Sequence, residues 1–199
     1  MSTEKLNTEI RQEQIARAAL SLVSSQGLKK LNVASVARRV GIVPSAIYRH
    51  FQNKDEILDS VLNLIHDLLH TNVSKARKEA GDPLEQLHRL LNLHVRLIRE
   101  NEGIPRIIFS QDVYSSHPER KAKVCQTIMQ YLHEVGEIVR QGQAGGQIKR
   151  DLDPETISMM FLGLIQPAAI VWHLSEGSFD VTKHAERAWK IFRGAIGKE

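Results

Sequence analysis

Apolar residues recur at three- and four-residue intervals along nearly the whole chain, a spacing that a succession of amphipathic α-helices accommodates. Ile15, Ala18, Ala19, Leu22 and Val23 form a first stripe, which Gly27 terminates. Asn32 is a good N-cap for a short second helix through Val33, Val36, Ala37 and Val40, ending at Gly41. Pro44 suits the first turn of a third, where its missing N–H is no loss, and that helix runs to about Phe51. Asn53 caps a long fourth helix with Asp55 and Glu56 in its first turn. Asp82 caps a fifth carrying Leu87, Leu90, Leu91, His94, Leu97 and Ile98 on one face. A short segment from Ile104 to about Val113 follows, and Ser116-His117-Pro118 opens a further helix that closes at Gly142 to Gly146. Asp153-Pro154-Glu155 starts an eighth helix, and Ala185, Ala188, Trp189, Phe192, Ala195 and Ile196 mark a ninth. No strand alternation, repeat or low-complexity tract interrupts the pattern, so the fold class is all-α with about nine helices.

Composition narrows the function classes. The single cysteine, Cys125, excludes an internal disulfide and a cysteine-based zinc site. The polar N-terminus does not read as a signal peptide, and no run approaches the roughly 18–20 consecutive apolar residues of a membrane span. A cytoplasmic protein without membrane contact is expected. The net charge of +4 is unevenly spread: residues 1–54 carry nine Lys/Arg against three Glu, +6, and the remainder sums to −2. A basic end on a mildly acidic body suits a polyanionic partner. His66 and His70 stand four apart without a third ligand, and no nucleophile, base and orienter can be assembled. Neither a metal, a cofactor nor catalysis is expected.

The segment Asn32 to Lys54, NVASVARRVGIVPSAIYRHFQNK, carries the functional pattern. Two short helices meet at Gly41-Ile42-Val43, where Gly41 can take a positive φ. Val36, Ala37, Val40, Ile42 and Ile47 lock them at a steep angle, as a helix-turn-helix requires. Pro44, Ser45, Ala46, Tyr48, Arg49 and His50 are left on the outer side of the second helix, where small residues allow close approach to base edges. Helix N-termini at Asn32 and Lys54 present N–H groups to phosphates.

These residues resemble the TetR family of bacterial transcriptional regulators. The resemblance rests on IARAALSLVSSQGLKKLNV and on VARRVGIVPSAIYRHFQNKDEIL, which holds Val36-Ala37, Gly41, Ile47-Tyr48, Phe51, Lys54 and Ile57-Leu58, and it covers roughly residues 8–68. It implies a DNA-binding domain over 1–53, with its motif at 32–51, and an effector-binding and dimerisation domain over 54–199. Asn32 takes the place of a capping, phosphate-touching Thr; Tyr48 and Lys54 occupy phosphate-contacting positions; Ser45, Ala46, Arg49 and His50 lie on the recognition helix. Val33 and Arg38 join the expected DNA-binding set. The chain departs from the family at Val43, where Ser commonly caps the recognition helix, and at Pro44, so its base preference differs from that of relatives.

The eighth helix is apolar most of the way round and must be covered on two sides. One side can face the chain's own core and the other a partner. In the resembled family the last two helices make the dimer interface, so the resemblance implies Met160, Leu164, Ala168, Trp172, Ala185, Trp189 and Phe192 at a homodimer interface, and Pro167 is expected to kink the eighth helix. The resemblance further implies a small apolar or amphipathic effector, for which His94, Phe109, Tyr114, Met129, Tyr131, His133, Met159, Gln166 and Trp172 offer inward-facing polar or adaptable residues. The expected function is a repressor that a bound ligand releases from a palindromic operator in double-stranded DNA. The alternative is a ligand-independent architectural or nucleoid factor with the same fold; a tightly packed interior around His94, Met129 and Met159 would favour it.

Overall fold

A computed structural model describes residues 3–115 and 117–198. Its helices are α1 (Thr3–Gln26), α2 (Val33–Val40), α3 (Pro44–Ile47), α4 (Lys54–Glu79), α5 (Pro83–Glu100), α6 (Gly103–Ile108), α7 (Gln111–Tyr114), α8 (Pro118–Ala144), α9 (Pro154–Gly163), α10 (Gln166–Leu174) and α11 (Val181–Ile196). A 3₁₀ turn at Leu28–Lys30 joins α1 to α2. The described residues hold no strand, only an isolated bridge between Ile148 and Gly197. The all-α expectation stands. Nine helices are recovered when α6 with α7, and α9 with α10, are each taken together. Ser116 lies outside the described residues, and the helix expected there begins at Pro118.

The eighth helix breaks rather than kinks. Regular helix ends at Gly163 and resumes at Gln166. Pro167 has no N–H, and its ring excludes a helical contact with the carbonyl four residues back, which belongs to Gly163. Taken across this break, residues 154–174 contain an 18-residue window with a mean hydropathy of 1.6, apolar enough by length and composition to cross a membrane, with one third of that window buried. The run is apolar on average only: Ser158, Gln166 and His173 interrupt it, so no series of roughly 18–20 consecutive apolar residues occurs here.

Two compact units divide the chain: one runs up to Asp67 and includes Asn101–Val124, and the other comprises Leu68–Glu100 and the chain from Cys125 on. In the first unit, Ile15, Ala19, Val23, Val36, Ala37, Ile47 and Val61 are fully buried, and burial of each Ile and Val among them stabilises the fold by about 1.5–3 kcal/mol. Helix α6 packs directly on α1: a Cβ added to Gly103 would stand 2.6 Å from the Leu20 carbonyl oxygen, so only glycine permits this backbone approach. In the second unit, Leu87, Leu90 and Leu91 of α5 meet Tyr131, Val135, Ile138 and Val139 of α8, with Phe161, Trp189 and Phe192 completing the core.

Candidate nucleic-acid interface

Local chemistry builds the helix-turn-helix as its sequence suggests. Asn32 is extended, and its Oδ1 accepts the Ser35 N–H at 2.9 Å, capping α2. Its amide nitrogen donates to the Lys30 carbonyl at 3.1 Å, which fixes the side chain from both ends. Gly41 closes α2 with φ +82°, and the N–H groups of Gly41 and Ile42 both donate to the Ala37 carbonyl, at 2.9 and 3.0 Å. The turn thus satisfies the Ala37 carbonyl, and the Arg38 carbonyl through a second bond from the Gly41 N–H at 3.3 Å, while redirecting the chain.

Helix α3 is one turn long, shorter than the expected run to Phe51. Its backbone nevertheless keeps coiling, because Tyr48 donates to Pro44 at 3.3 Å and Phe51 to Ile47 at 3.0 Å. Ile47 and Phe51 are buried. Val43, Pro44, Ser45, Tyr48 and Arg49 are exposed, and Ala46 is half-buried. Val43 gives no side-chain cap, as its apolar side chain requires. His50 departs from the outward position expected for it. It is half-buried, its Nδ1 is enclosed without a hydrogen-bond partner, and its carbonyl accepts from Gln12 Nε2 of α1 at 3.5 Å. Arg38 is exposed and Val33 half-buried. Arg39 donates to Ser21 Oγ at 2.6 Å, which ties α2 to α1.

Lys54, the exposed first residue of α4, sits in a tightly organised turn. Asn53 Oδ1 accepts the Glu56 N–H at 2.9 Å, and Glu56 in return accepts the Gln52 N–H at 2.8 Å. The next partner comes from far along the chain. Arg120 of α8, with only 3% of its side chain exposed, donates to Asp59 at 2.7 Å, to the Asp55 carbonyl at 3.1 Å and to the Asp55 carboxylate at 3.0 Å. Burial lowers the pKa of this guanidinium, but the bonds to Asp59 and Asp55 outweigh it and hold the pKa above the ordinary value. His117 adds contacts to Asp55 and Glu119. Sequence reasoning missed Arg120, because sixty intervening residues separate it from its partners and no local pattern announces the pairing.

In the second unit the structure brings together His94 and Tyr131. The imidazole Nδ1 lies 3.0 Å from the phenol oxygen with the rings perpendicular, and both residues are buried. Burial pushes the His94 pKa down to about 4 and the Tyr131 pKa up. The other effector-site expectations are not met in the same way. Phe109, Met129, His133 and Met159 are exposed rather than inward-facing. The core stripe of α8 passes through Tyr131, Val135, Ile138 and Val139, and Met129 and His133, each two residues from Tyr131, project away from it. Tyr114 is half-buried in the first unit, donates to the Ile108 carbonyl, and has its pKa raised by burial. Gln166 is half-buried at the start of α10.

The interface set also needs correction. Ala168, Ala185, Trp189 and Phe192 are buried within the single chain, while Leu164 and Trp172 are half-buried and Met160 is exposed. Trp189 stacks on His88, with centroids 5.0 Å apart and planes 6° from parallel, and lies 5.9 Å from Phe192. The apolar side chains of α9–α11 that do reach the surface are Met159, Met160, Ile170, Val171, Leu174 and Ile191, the last two 76% exposed. Periodicity found an apolar stripe on α11 but could not say that α5 already covers it.

Comparison with known proteins agrees with this architecture. The family described as "Bacterial regulatory proteins, tetR family" matches residues 15–61, and that described as "Tetracyclin repressor-like, C-terminal domain" matches residues 80–196. The nucleoid occlusion factor SlmA of Photobacterium profundum is 20% identical over 96% of this chain and 97% of its own length. The fatty acid metabolism regulator protein of Bacillus subtilis is 24% identical over 84% of this chain and 86% of its own. The solved structure of the transcriptional regulator FadR from Bacillus subtilis in complex with stearoyl-CoA superposes with a TM-score of 0.75 at 22% identity, covering 92% of this chain and 98% of that one. With a buried two-helix module presenting Tyr48, Arg49 and Lys54 outward and family matches across both its parts, the chain belongs to the tetR family of bacterial regulatory proteins and is a transcriptional regulator.

Proposed function

We propose that the protein acts in the cytoplasm as a homodimeric repressor, reading a palindromic operator through residues 1–53 and leaving it when residues 54–199 bind a small apolar or amphipathic effector. The observation that carries the DNA-reading part is the combination of exposed Tyr48, Arg49 and Lys54 with fully buried Val36, Ala37 and Ile47 directly behind them. The buried side chains fix which side faces outward, leaving Arg49 available for a base edge and Tyr48 and Lys54 for phosphates. The exposed apolar side chains of α9–α11 support self-association, because a second copy removes them from water and supplies the second half-site, roughly 34–36 Å along the duplex. The name of the Bacillus subtilis relative and the stearoyl-CoA in the solved structure support an amphipathic effector.

The test is selection of binding duplexes from a random library, followed by titration of the selected duplex with and without stearoyl-CoA. A palindromic consensus is expected, with affinity falling roughly 5- to 150-fold when effector is bound. A consensus without symmetry refutes the dimeric reading. A second reading, a ligand-independent nucleoid factor, is favoured by the SlmA similarity and by the closely packed His94–Tyr131 pair. It gains the field if DNA affinity is the same at every concentration of an effector that demonstrably binds.

A further inference from the structure

A cleft of about 510 Å³ opens in the second unit between α5, α10 and the first turn of α11. Its floor is one face of α5: Asn92, Val95, Arg96, Arg99 and Glu100 follow the three- and four-residue spacing that puts side chains on a common side. Trp172 of α10 makes the wall and Thr182 of α11 closes the end. The volume lies in the range of small-molecule sites.

The lining is divided by chemistry. Val95 is buried and Trp172 half-buried, which gives an apolar body. The Trp172 carbonyl accepts the Gly177 N–H and the Ser175 hydroxyl, both at 3.0 Å, so the wall is anchored. Two guanidinium groups on successive turns of one face of α5 share the lining with it. Arg99 is steadied by a 3.1 Å bond from Nη1 to Thr182 Oγ1, and Arg96 pairs with Glu100 through Nε at 2.7 Å. Glu100 offsets one charge, and the lining keeps a net positive charge. Like charges three residues apart on a helix repel, and a carboxylate held between them relieves that cost.

We infer that this cleft binds an amphipathic carboxylate, the acid group on Arg96 and Arg99 and the apolar body against Trp172 and Val95. The inference rests on the effector reading above for its consequence on DNA, though not for the binding itself.

The probe is decanoate, titrated calorimetrically against the full chain, with decanol and decylammonium as neutral and cationic counterparts. Decanoate is expected to bind, with decanol and the Arg96→Gln/Arg99→Gln variant each weaker by about tenfold or more, as loss of charged hydrogen bonds requires. Both arginines are exposed, and circular dichroism checks that the variant folds. Absent binding, equal affinity for decanol, or a variant within twofold of wild type overturns the assignment. Repeating the titration with the selected duplex separates the two claims. Decanoate that binds through the arginines yet leaves DNA affinity unchanged defeats the effector reading alone. Decanoate that releases DNA equally from wild type and variant defeats the cleft alone.

Discussion

Replacing His94 with Asn keeps a polar atom near the position of Nδ1, opposite the Tyr131 hydroxyl, and removes the titration. The folded pKa of His94 is about 4, below the ordinary value of about 6.5 that the unfolded chain regains. Between those values the unfolded state binds the proton and the folded state refuses it. Stability is therefore complete above pH 6.5 and is lost as pH falls toward 4. Between pH 7.5 and 4.5 this single group costs the folded state about 2.5 kcal/mol. With a urea slope of about 2–3 kcal/mol/M, the midpoint moves by about 1 M. Tryptophan fluorescence is the right probe, because both tryptophans, Trp172 and Trp189, lie in the unit that holds His94. The wild type should lose about 1 M more of its midpoint over that pH range than His94→Asn does. Parallel pH profiles for the two proteins would show that His94 is not buried as a neutral group.

Three further outcomes follow from the geometry. Asn32→Ala removes the cap on α2 and should cost about 1 kcal/mol, read by urea unfolding followed by circular dichroism, with Asn32→Ser restoring most of it. Gly103→Ala forces a methyl against the Leu20 carbonyl and should destabilise the first unit by about 1–3 kcal/mol, seen as faster amide exchange along α1; unchanged exchange would contradict the close approach of α6. Val171→Glu with Ile191→Glu places charge on the exposed apolar surface of α9–α11 and should convert dimer to monomer in sedimentation velocity, whereas Trp189→Leu should lower stability instead, because that ring is already buried.

What could be read from the sequence follows the range of the interactions. Caps and turns act within three or four residues, so Asn32, Gly41, Asn53, Asp82 and Asp153 were legible, and each side-chain cap forms. The outward face of the recognition segment was legible for the same reason, since Ile47 and Phe51 set which side is inward. His50 was not, because its surroundings include Gln12, thirty-eight residues earlier. The Arg120 clamp on Asp55 and Asp59 and the contact of Gly103 with Leu20 depend likewise on long-range packing. On α11 a single apolar stripe fitted either a partner or the chain's own α5. Only the folded arrangement assigns Trp189 and Phe192 to the interior and leaves Ile191 outside.

The salt dependence of DNA binding reaches the central claim most directly. Affinity of the wild type and of Lys54→Ala for one selected duplex, measured by fluorescence anisotropy from about 50 to 200 mM salt, gives the number of phosphates each protein neutralises. Wild-type affinity should fall steeply with salt, and removing Lys54 should flatten the logarithmic slope by about 0.9 without changing which sequence is preferred. A slope unaltered by Lys54→Ala, or wild-type binding indifferent to salt, would mean that this face of the module does not lie on DNA.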